Sequence, residues 1–516
     1  LENRIFAETG AHEVCTGAQV FVHDAKKLIH VVNRLGICLP AILFDTALAA
    51  YVCDSSAKDF SYPAVASREL HRPVSASASG FTLFFEVADK LRERVGERGG
   101  ERVLYEIELP LSPVLADMEE RGILVDVRVL KRLSGEIASK IGELQQKIIE
   151  QAGEKFNINS SQQLSRILFE KLGLKPYGLR KTAKGGVIST GASELEKLRD
   201  AHSIISLVLE YRELSKLATT YIDALPTLVN ERTGRIHTTF NQMGAATGRL
   251  SSLNPNLQNI PILSAYGSRI RSAFVAPKGW KLCSFDYSQI ELRVAAHMAH
   301  DEKMIGAFRL GEDIHTRTAA EIYNVAPKDV TSDLRRAAKT LNFGVLYGMG
   351  SQAFAEATGM PRVDAQKFID EYFHDFSGIR KYIEETKRLA QERGYVETLF
   401  GRRRSIPEIH SSNWQVKREA ERMAVNMPIQ GTATGDIIKL AMIKTDAWIR
   451  KERLQDDARM LLQVHDELVF EVRKDALSQV AQGIKKMMES VAELDVPLVV
   501  DIKAGDNWGE QKVISM

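Results

Sequence analysis

Two aspartates, each at the end of a short apolar run, carry the strongest chemical signal in the sequence. Residues 281–293 read KLCSFDYSQIELR and residues 461–470 read LLQVHDELVF, so Asp286 and Asp466 each follow a β-prone segment. Two carboxylates on adjacent strand ends can hold two divalent metal ions, which can drive an in-line phosphoryl transfer. Asp466 and Glu467 are consecutive acids and repel each other unless a cation lies nearby. Taken alone, these two also fit a solvated acidic turn.

A second pattern lies between the two aspartates, in the segment RRAAKTLNFGVLYG at residues 335–348. Spacing of four residues places four of its side chains along one slowly turning helix face. These side chains are Arg335, Lys339, Phe343 and Tyr347. Two cations followed by two aromatics suit a polyphosphate at one end and a planar base at the other. A structural stripe would instead be aliphatic if buried, or free of aromatics if solvated.

Two further segments are rich in polar side chains. TGRLSSLNPNLQNIP, at residues 247–261, offers many hydrogen-bond donors to phosphate, sugar and base edges. ERMAVNMPIQG, at residues 421–431, places Arg422, Asn426 and Gln430 four residues apart. Each signal is weak by itself, because a polar loop or a solvated helix face would look the same.

The elements that must position these groups change character along the chain. Strand-like runs at residues 281–285, 460–464 and 468–472 flank a mainly helical stretch at residues 303–450. Strands from both sides of this insertion are expected to pair in one antiparallel sheet. Shorter strand-like runs occur at residues 41–44, 235–240 and 498–503. The charged, Gly-rich segment 93–102 is interpreted as a linker or an exposed turn.

Apolar spacing predicts a long helix from Leu130 to Ile148, packed on a partner helix within residues 192–225. The basic segment Arg180–Thr190 lies between them. A plain helical bundle and a clamp whose tip meets phosphates both fit this pattern.

Bulk composition sets broad limits. The chain has 516 residues, which predicts two to four domains, with 44% hydrophobic and 26% charged residues and a net charge of +2. It contains no apolar run of about 18 residues, so no membrane span is expected. Its four cysteines show no metal-ligand spacing and are interpreted as free thiols in a reducing compartment. Because the sequence begins at Leu1, we expect a processed fragment of a longer chain.

The motifs DYSQIELR, RRAAKTLNFGVLYG and VHDE resemble motifs A, B and C of the family A DNA polymerases, typified by the large, Klenow-like fragment of bacterial DNA polymerase I. The resemblance covers residues 105–516 and includes TGRLSS and PNLQNIP. It implies a multi-domain α+β and α/β fold with the right-hand shape, preceded by a vestigial RNase H-like 3′–5′ exonuclease domain. The implied regions are a partial, degenerate exonuclease-like domain at 1–104, a thumb at 105–230, a palm at 231–300, fingers at 301–450 and a second part of the palm at 451–516.

The resemblance implies a template-directed DNA polymerase that adds deoxynucleotides to a primer 3′-hydroxyl and releases pyrophosphate, in DNA replication and repair. Its implied cofactors are two Mg²⁺ ions, with Mn²⁺ as a substitute, held by Asp286, Asp466 and the Tyr287 backbone, with Glu467 nearby. Its implied partners are primer–template DNA and deoxynucleoside triphosphates. We expect a monomer in the bacterial cytoplasm, associated with the nucleoid.

Carried onto this chain, the family's nucleotide-binding roles fall on and near the stripe. Arg335 and Lys339 would grip phosphates, with His315 assisting. Phe343 would stack on the incoming nucleotide and discriminate against dideoxynucleotides, while Tyr347 would occupy the template position until the fingers close. The remaining implied nucleotide-binding residues are Gln289 and Glu291, of which Glu291 would exclude a 2′-hydroxyl. The implied DNA-binding residues are Lys216, Arg249, Asn256, Gln258, Arg422, Asn426, Gln430 and His465.

The sequence departs from the family pattern at several positions. Asp24 stands where an Asn is usual, and Leu28 stands where a metal-binding carboxylate is usual. Ala78 and Gly80 lie near the place of a missing Tyr-x-x-x-Asp pattern, so we expect no proofreading. No 5′-nuclease domain is expected in this chain. Leu263 replaces an Arg that many relatives carry. The segment QGTATGDIIK has one extra residue near Thr434 and Gly435, which predicts a π-bulge or a shifted helix start.

Two alternatives from other functional classes stay open. A polymerase that had lost its chemistry would bind primer–template without extending it, although its motifs would then be expected to be broken. A nuclease acting through the N-terminal part would need carboxylates that the sequence lacks there.

Overall fold

The computed structural model describes residues 14–75, 81–175, 178–181, 186–262 and 264–514. The expectations that rest on Ala78, Gly80 and Leu263 lie outside the described residues, as do positions 182–185 of the basic segment. Helices make up most of the described chain, and none of them is both long enough and apolar enough to span a bilayer.

The first part of the chain is a small layer of helices on two parallel strands. Its elements are β1 (Val14–Val22), α1 (Ala25–Leu35), β2 (Leu39–Asp45), α2 (Thr46–Cys53), α3 (Tyr62–Leu70) and α4 (Phe81–Glu97). β2 contains the predicted strand at 41–44. Buried apolar residues between Ala25 and Ala116 form a core of their own.

The linker predicted at residues 93–102 is mostly helical, so that prediction is wrong except for a turn at residues 98–100. At Gly99 the backbone has a φ of 61°. A Cβ on Gly100 would lie 2.7 Å from Val52, so the glycine allows this turn to pack on α2. A π-helical turn (Val103–Glu108) then leads into α5 (Leu109–Arg121). The domain boundary expected after residue 104 thus falls inside a continuous helical segment.

Two long helices dominate the next region and confirm the predicted pair. Its elements are β3 (Ile123–Leu124), α6 (Val127–Ala152), α7 (Ser161–Ser165), a π-helix (Arg166–Lys171), α8 (Ala192–Glu196), α9 (Ser203–Leu217), a π-helix (Ala218–Ile222) and a 3₁₀ turn (Leu225–Leu228). α6 begins at the cap residue Asp126 and ends at Gly153 in the left-handed conformation. Leu130, Leu133 and Ile137 of its apolar seam are buried, and α9 packs along it.

The single strand predicted at residues 235–240 is in fact two short strands with different partners. The elements of this stretch are β4 (Arg235–Ile236), β5 (Thr239–Asn241), β6 (Ser251–Leu253) and α10 (Ala265–Arg271). β4 pairs with β3, whereas β5 pairs with β6.

A helical insertion follows the next strand. Its elements are β7 (Trp280–Tyr287), α11 (Ile290–Met298), α12 (Glu302–Arg309), α13 (Ile314–Tyr323), a 3₁₀ turn (Pro327–Asp329), α14 (Ser332–Leu346), α15 (Ser351–Thr358), α16 (Arg362–Asp375), α17 (Ser377–Arg393), β8 (Tyr395–Glu397), β9 (Arg403–Ser405), a 3₁₀ turn (Pro407–His410), α18 (Trp414–Gln430), a π-helix (Gly431–Ile437) and α19 (Ile438–Lys451). The π-helix lies in the segment where the extra residue predicts a bulge, which confirms that prediction.

Strands from both sides of the insertion form one antiparallel sheet, as predicted. The last elements are β10 (Ala458–Val464), β11 (Glu467–Arg473), α20 (Leu477–Glu489), β12 (Val500–Gly505) and β13 (Lys512–Val513). The strand order of this central sheet is β10-β11-β7-β12-β13. β7 is therefore a central strand, held between β11 and β12. One large apolar core joins this sheet to the insertion and to α6 and α9.

Candidate active site

The two aspartates meet at one end of the central sheet. Asp286 lies near the end of β7, and Asp466 lies in the two-residue turn between β10 and β11. β7 and β11 pair so that Asp286 lies opposite Glu467, and the Asp466 carbonyl accepts a hydrogen bond from the Tyr287 amide at 3.2 Å. On the other side of β7, Asp286 lies opposite Asp501. The predicted pairing of the two aspartate-bearing segments is confirmed.

The crowding of carboxylates changes their ionisation. Burial raises the pKa of Asp286 to about 7, and the charges of Asp466 and Glu467 add to the shift. Burial also raises the pKa of Asp466, with a further contribution from Glu291. Like charges in a half-buried site favour protonation unless a cation neutralises them. The pair is therefore chemically suited to a divalent cation that prefers oxygen ligands.

Glu467 is engaged by other groups. Its Oε1 accepts a hydrogen bond from Trp508 Nε1 at 3.1 Å, and Arg271 Nη1 lies 4.0 Å from its Oε2. Across the described ranges, no three His, Cys, Asp or Glu side chains are grouped so that they could hold a metal ion by themselves. Two aspartates would leave most of an ion's coordination shell to water and phosphate oxygens, which is a usual arrangement for Mg²⁺.

Glu291, in the first turn of α11, joins segments that are distant in sequence. Its Oε1 accepts a hydrogen bond from Arg249 Nη2 at 2.8 Å, and its Oε2 accepts one from the Tyr347 hydroxyl. Arg249 Nε also donates to Thr434 Oγ1 at 2.5 Å. With its carboxamide oxygen turned toward Arg249, Gln430 accepts from Nη1 and Nη2 at 3.1 and 3.2 Å. Burial and the Glu291 charge raise the pKa of Tyr347, so its hydroxyl remains a donor.

The predicted cationic and aromatic stripe follows α14 and faces outward. Arg335, Lys339 and Tyr347 are exposed, and Phe343 is half-buried. Arg335 makes two hydrogen bonds to the Asp313 carboxylate, at 3.2 and 2.6 Å. Lys339 is not part of any ion pair within the described residues. The stripe therefore presents a cation that is available to a negatively charged ligand.

His315 lies behind the stripe and not on it. Its side chain is 3% exposed, its Nδ1 lies 3.1 Å from Asn342 Nδ2, and its ring centroid is 5.8 Å from that of Phe343. Burial lowers its pKa to about 4, against the opposing charge of Asp313. A neutral imidazole can offer a hydrogen bond to a phosphate but no positive charge.

Comparison with known proteins decides the family. The sequence model of DNA polymerase family A matches residues 127–510. The chain belongs to DNA polymerase family A. The family A polymerase fold, with its mixture of helices and sheet, therefore applies to this chain, as the motif resemblance implied.

Two relatives and one solved structure show how close the match is. DNA polymerase I of Pseudomonas aeruginosa is 44% identical over 503 residues, which are 92% of this chain and 54% of that protein. The thermostable DNA polymerase I of Thermus aquaticus is 51% identical over 413 residues, 80% of this chain and 49% of that protein. The chain spans about half the length of these relatives. The POL domain of Pol1 from M. smegmatis, solved in complex with DNA primer-template and dNTP, matches with a TM-score of 0.88 and 38% identity, covering 95% of this chain and 86% of that one.

In this family A chain, the polar groups beside the aspartates are partly used to hold the site itself. Gln258 Nε2 donates to Gln463 Oε1 at 2.8 Å, and Gln258 Oε1 accepts from the Ser252 amide at 3.1 Å. Gln463 is buried and donates to the His465 carbonyl. His465 is exposed at the hairpin turn with a φ of 57°. Gln258 thus supports the turn that carries Asp466, a role that sequence reasoning missed.

The other predicted DNA-binding residues are spread over a wider surface. Arg422 is exposed and Asn426 is half-buried on α18, and Lys216 is exposed on α9. Asn256 Oδ1 accepts a hydrogen bond from the Gln258 amide at 3.0 Å, which stabilises a local turn. Gln289, predicted to bind nucleotide, precedes α11 with a φ of 53°.

A buried charge network that sequence reasoning missed lies beneath the Thr247–Arg249 turn. Glu108 accepts from Lys439 Nζ at 2.6 Å and lies 2.6 Å from Arg402 Nη2. Arg402 Nε also donates to Asp436 at 2.8 Å. Burial raises the pKa of Glu108, but the two cations outweigh it and hold that pKa below its usual value. The balance of two acids and two bases makes complete burial of these charges tolerable.

Two glycines bring the turn into contact with this network. Gly248 has a φ of 88°, and a Cβ on it would lie 2.6 Å from Arg402 Nε. A Cβ on Gly435, in the π-helix, would lie 2.5 Å from the Thr247 carbonyl oxygen. The π-helix thus binds the turn through Thr434, which accepts from Arg249, and the charge network through Asp436, which accepts from Arg402.

The N-terminal part contacts the backbone just before this turn. The Tyr51 hydroxyl donates to the Ala245 carbonyl at 2.7 Å, and Ser55 Oγ donates to the Ala246 carbonyl at 3.0 Å. Two residues of this part that depart from the pattern expected from the resemblance, Asp24 and Leu28, make structural contacts. Asp24 caps α1 through the Lys27 amide at 3.1 Å, and Leu28 packs against the N-terminal core.

Proposed function

We propose that this chain is the polymerase part of a template-directed DNA polymerase, which adds deoxynucleotides to a primer 3′-hydroxyl and releases pyrophosphate. The observation that carries the proposal is the meeting of Asp286 and Asp466 at one end of the central sheet, where both have raised pKa values. The exposed stripe on α14 adds a site for the triphosphate and base. Family membership and the primer-template and dNTP in the M. smegmatis structure support the same function.

Asp286 and Asp466 would hold two Mg²⁺ ions, with the Tyr287 backbone beside them and Glu467 nearby, and Mn²⁺ could substitute. The residues fit such ions, because a cation would offset the burial of Asp286 and its repulsion by Asp466 and Glu467, which together raise the Asp286 pKa. When bound, the ions supply a lowered pKa for the primer hydroxyl and compensation of the charge on the leaving pyrophosphate.

The side chains around the pair bind and orient the nucleotide. Arg335 and Lys339 bind the triphosphate, and Phe343 stacks on the base. His315 supports Phe343 and can offer the phosphates a hydrogen bond. Glu291 fills the space that a 2′-hydroxyl would need. Tyr347, hydrogen-bonded to Glu291, occupies the template position until the fingers close.

The DNA would lie along the polar surface beside the sheet. Lys216 would contact backbone phosphate, and His465 would lie by the primer terminus. The residues proposed to line the duplex are Arg249, Asn256, Gln258, Arg422, Asn426 and Gln430. Gln289 is proposed to contact the nucleotide from the start of α11. Sequence preference is not expected, because pairing with the template selects the base.

The remaining proposals concern the whole chain. We infer a thumb at 105–230, a palm at 231–300 and 451–516, and fingers at 301–450. Residues 1–104 would be a degenerate 3′–5′ exonuclease-like domain without proofreading. The chain would act as a monomer in DNA replication and repair, bound to the bacterial nucleoid.

Primer extension with Mg²⁺ and deoxynucleotides tests the proposed function. Asp466→Ala should abolish extension, because removal of either aspartate opens the metal site. Asp475→Ala is the matched control, since Asp475 is an exposed acid in the turn after β11, at the opposite end of that strand from Asp466. Extension by Asp466→Ala at the wild-type rate would show that the metal assignment is wrong.

A further inference from the structure

An exposed tryptophan begins the helix that carries the polar groove residues. Trp414, the first residue of α18, is 67% exposed. Among the large hydrophobic side chains of the described residues, only two other aromatics are exposed, Phe85 and Tyr347. Phe85 belongs to the N-terminal part, whereas Tyr347 lies on the same face of the molecule as α18.

A continuous surface leads from Tyr347 along α18. Tyr347 and Asn426 line one narrow cavity. The next residue, Gly348, approaches α18 so closely that a Cβ on it would lie 2.5 Å from Arg422 Cγ. Arg422 lies one helical turn before Asn426, so the chain after Tyr347 runs toward the first turn of α18.

Arg418 completes this path to the indole. A Cβ on Gly350 would lie 3.6 Å from Arg418 Nη2, and Arg418 Cζ lies 5.1 Å from the centre of the Trp414 ring. Arg418 and Arg422 are both exposed, and neither forms an ion pair with a carboxylate of the described residues. The neighbouring acid Glu421 forms its ion pair with Lys387, at 4.0 Å. The surface therefore carries an exposed aromatic ring and two cations that lack a carboxylate partner among the described residues.

We propose that Trp414 and Arg418 form a stacking platform for an unpaired base of the template strand, on the 5′ side of the position that Tyr347 occupies. The proposal rests on the proposed polymerase function. An aromatic ring beside unpaired guanidinium groups is the usual chemistry for single-stranded nucleic acid, since every base offers a π-face and every nucleotide a phosphate. Paired bases inside a duplex have no free face to offer.

The distance from Asn426 to Trp414 determines how many unpaired template nucleotides are needed to reach the platform. Asn426 and Trp414 are three helical turns apart, or about 18 Å. About five stacked nucleotides span that distance. A template overhang of one nucleotide should therefore not reach the platform, whereas an overhang of eight should cover it.

The test measures the affinity of the chain for primer–templates with 5′ template overhangs of one and eight nucleotides. Trp414→Ala should weaken binding to the long overhang by about five-fold or more and leave binding to the short overhang unchanged. Trp414→Phe should retain most of the affinity, and Arg418→Met should share the loss. Phe85→Ala, which removes an exposed aromatic elsewhere, should leave both affinities at the wild-type value. An equal loss on both overhangs, or no loss on either, would overturn the proposal.

Tryptophan fluorescence gives an independent readout. The long overhang should quench emission in the wild type, and Trp414→Phe should abolish that quenching. Quenching by a blunt duplex would point to a duplex contact and count against the platform. If the wild type neither binds nor extends any primer–template, the proposed function fails. If it binds and extends but Trp414→Ala does not distinguish the overhangs, only the platform is wrong.

Discussion

Asp286 is half-buried and must nevertheless carry a charge, and its surroundings make these two demands compete. It lies in a central strand between two others, with acids opposite it on both sides. Such a carboxyl gives up its proton more readily when a cation replaces it. Cation binding and proton release should therefore be coupled at this residue.

This coupling predicts a pH dependence of cation affinity. Without a cation, Asp286 has a pKa of about 7, so it is mostly protonated at pH 6 and mostly ionised at pH 8. Affinity for Mn²⁺ should therefore fall about ten-fold between pH 8 and pH 6 in the chain without DNA. Because the folded pKa lies above the unfolded value, the metal-free chain should also lose stability as pH rises from about 4 toward 7. Calorimetric titration at the two pH values measures the affinity.

Asp286→Asn provides the control for this prediction. It should bind Mn²⁺ weakly at both pH values, because it has no carboxylate to ionise. Equal wild-type affinity at pH 6 and pH 8 would contradict the assigned coupling.

Glu291 predicts a second effect at the residue scale, on sugar selection. Glu291→Ala should open space beside the sugar and raise ribonucleotide incorporation. Glu291→Gln keeps the bulk but loses the charge that holds Arg249, so it should still exclude ribonucleotides while binding DNA less well. Steady-state kinetics with ribo- and deoxynucleotides separate the two variants. Unchanged sugar selectivity in Glu291→Ala would rule out the steric role.

Residue types and spacing predicted Asp286, Asp466 and the α14 stripe because these signals are local. The partners of Arg249 could not be read in the same way. Glu291 and Thr434 reach it from α11 and from the π-helix, and only the packing of the fold brings them together. Asp501 was missed because its significance depends on strand register and not on its neighbours in sequence.

At the scale of elements, the π-helix between α18 and α19 joins the Thr247–Arg249 turn to the buried charge network. One extra residue lets Thr434 and Asp436 face two different partners within a single turn. The extra residue was visible in the sequence and predicted the π-helix. Its partners were not visible, because Arg402 immediately precedes β9 and Glu108 lies in a π-helical turn far upstream.

Gly435→Ala tests how closely the π-helix packs against the Thr247–Arg249 turn. Its Cβ would overlap the Thr247 carbonyl oxygen, so the free energy of unfolding should fall by about 1–3 kcal/mol. Primer extension should fall with it, since the turn carries Arg249. Urea unfolding and extension rates measure the two effects.

Gly306→Ala is the matched control for Gly435→Ala. Gly306 lies within α12, and a Cβ there would meet no atom within 4 Å. The same substitution should therefore stabilise the protein slightly, by up to about 1 kcal/mol. Equal effects of the two substitutions would show that close packing at the π-helix is not the cause.

At the scale of the whole molecule, the N-terminal part raises the question of editing. The motif resemblance implies that Asp24 and Leu28 stand where an Asn and a metal-binding carboxylate are usual. The wild type should therefore leave a mismatched primer 3′ end intact when nucleotides are withheld. Gel analysis of labelled primers measures this. Shortening of the primer that persists in Asp466→Ala would reveal a second active site and contradict the prediction.

The contacts of Tyr51 and Ser55 indicate a structural role for the N-terminal part. Both side chains hold the carbonyls of the two residues that precede the Thr247–Arg249 turn. The N-terminal part thus positions the loop whose Arg249 holds Glu291. Substitutions in or just after α2 that remove these contacts should then raise ribonucleotide incorporation. They should not change the removal of mismatched primer ends. Such a contribution would act before bond formation and would not depend on any cutting of the primer by residues 1–104.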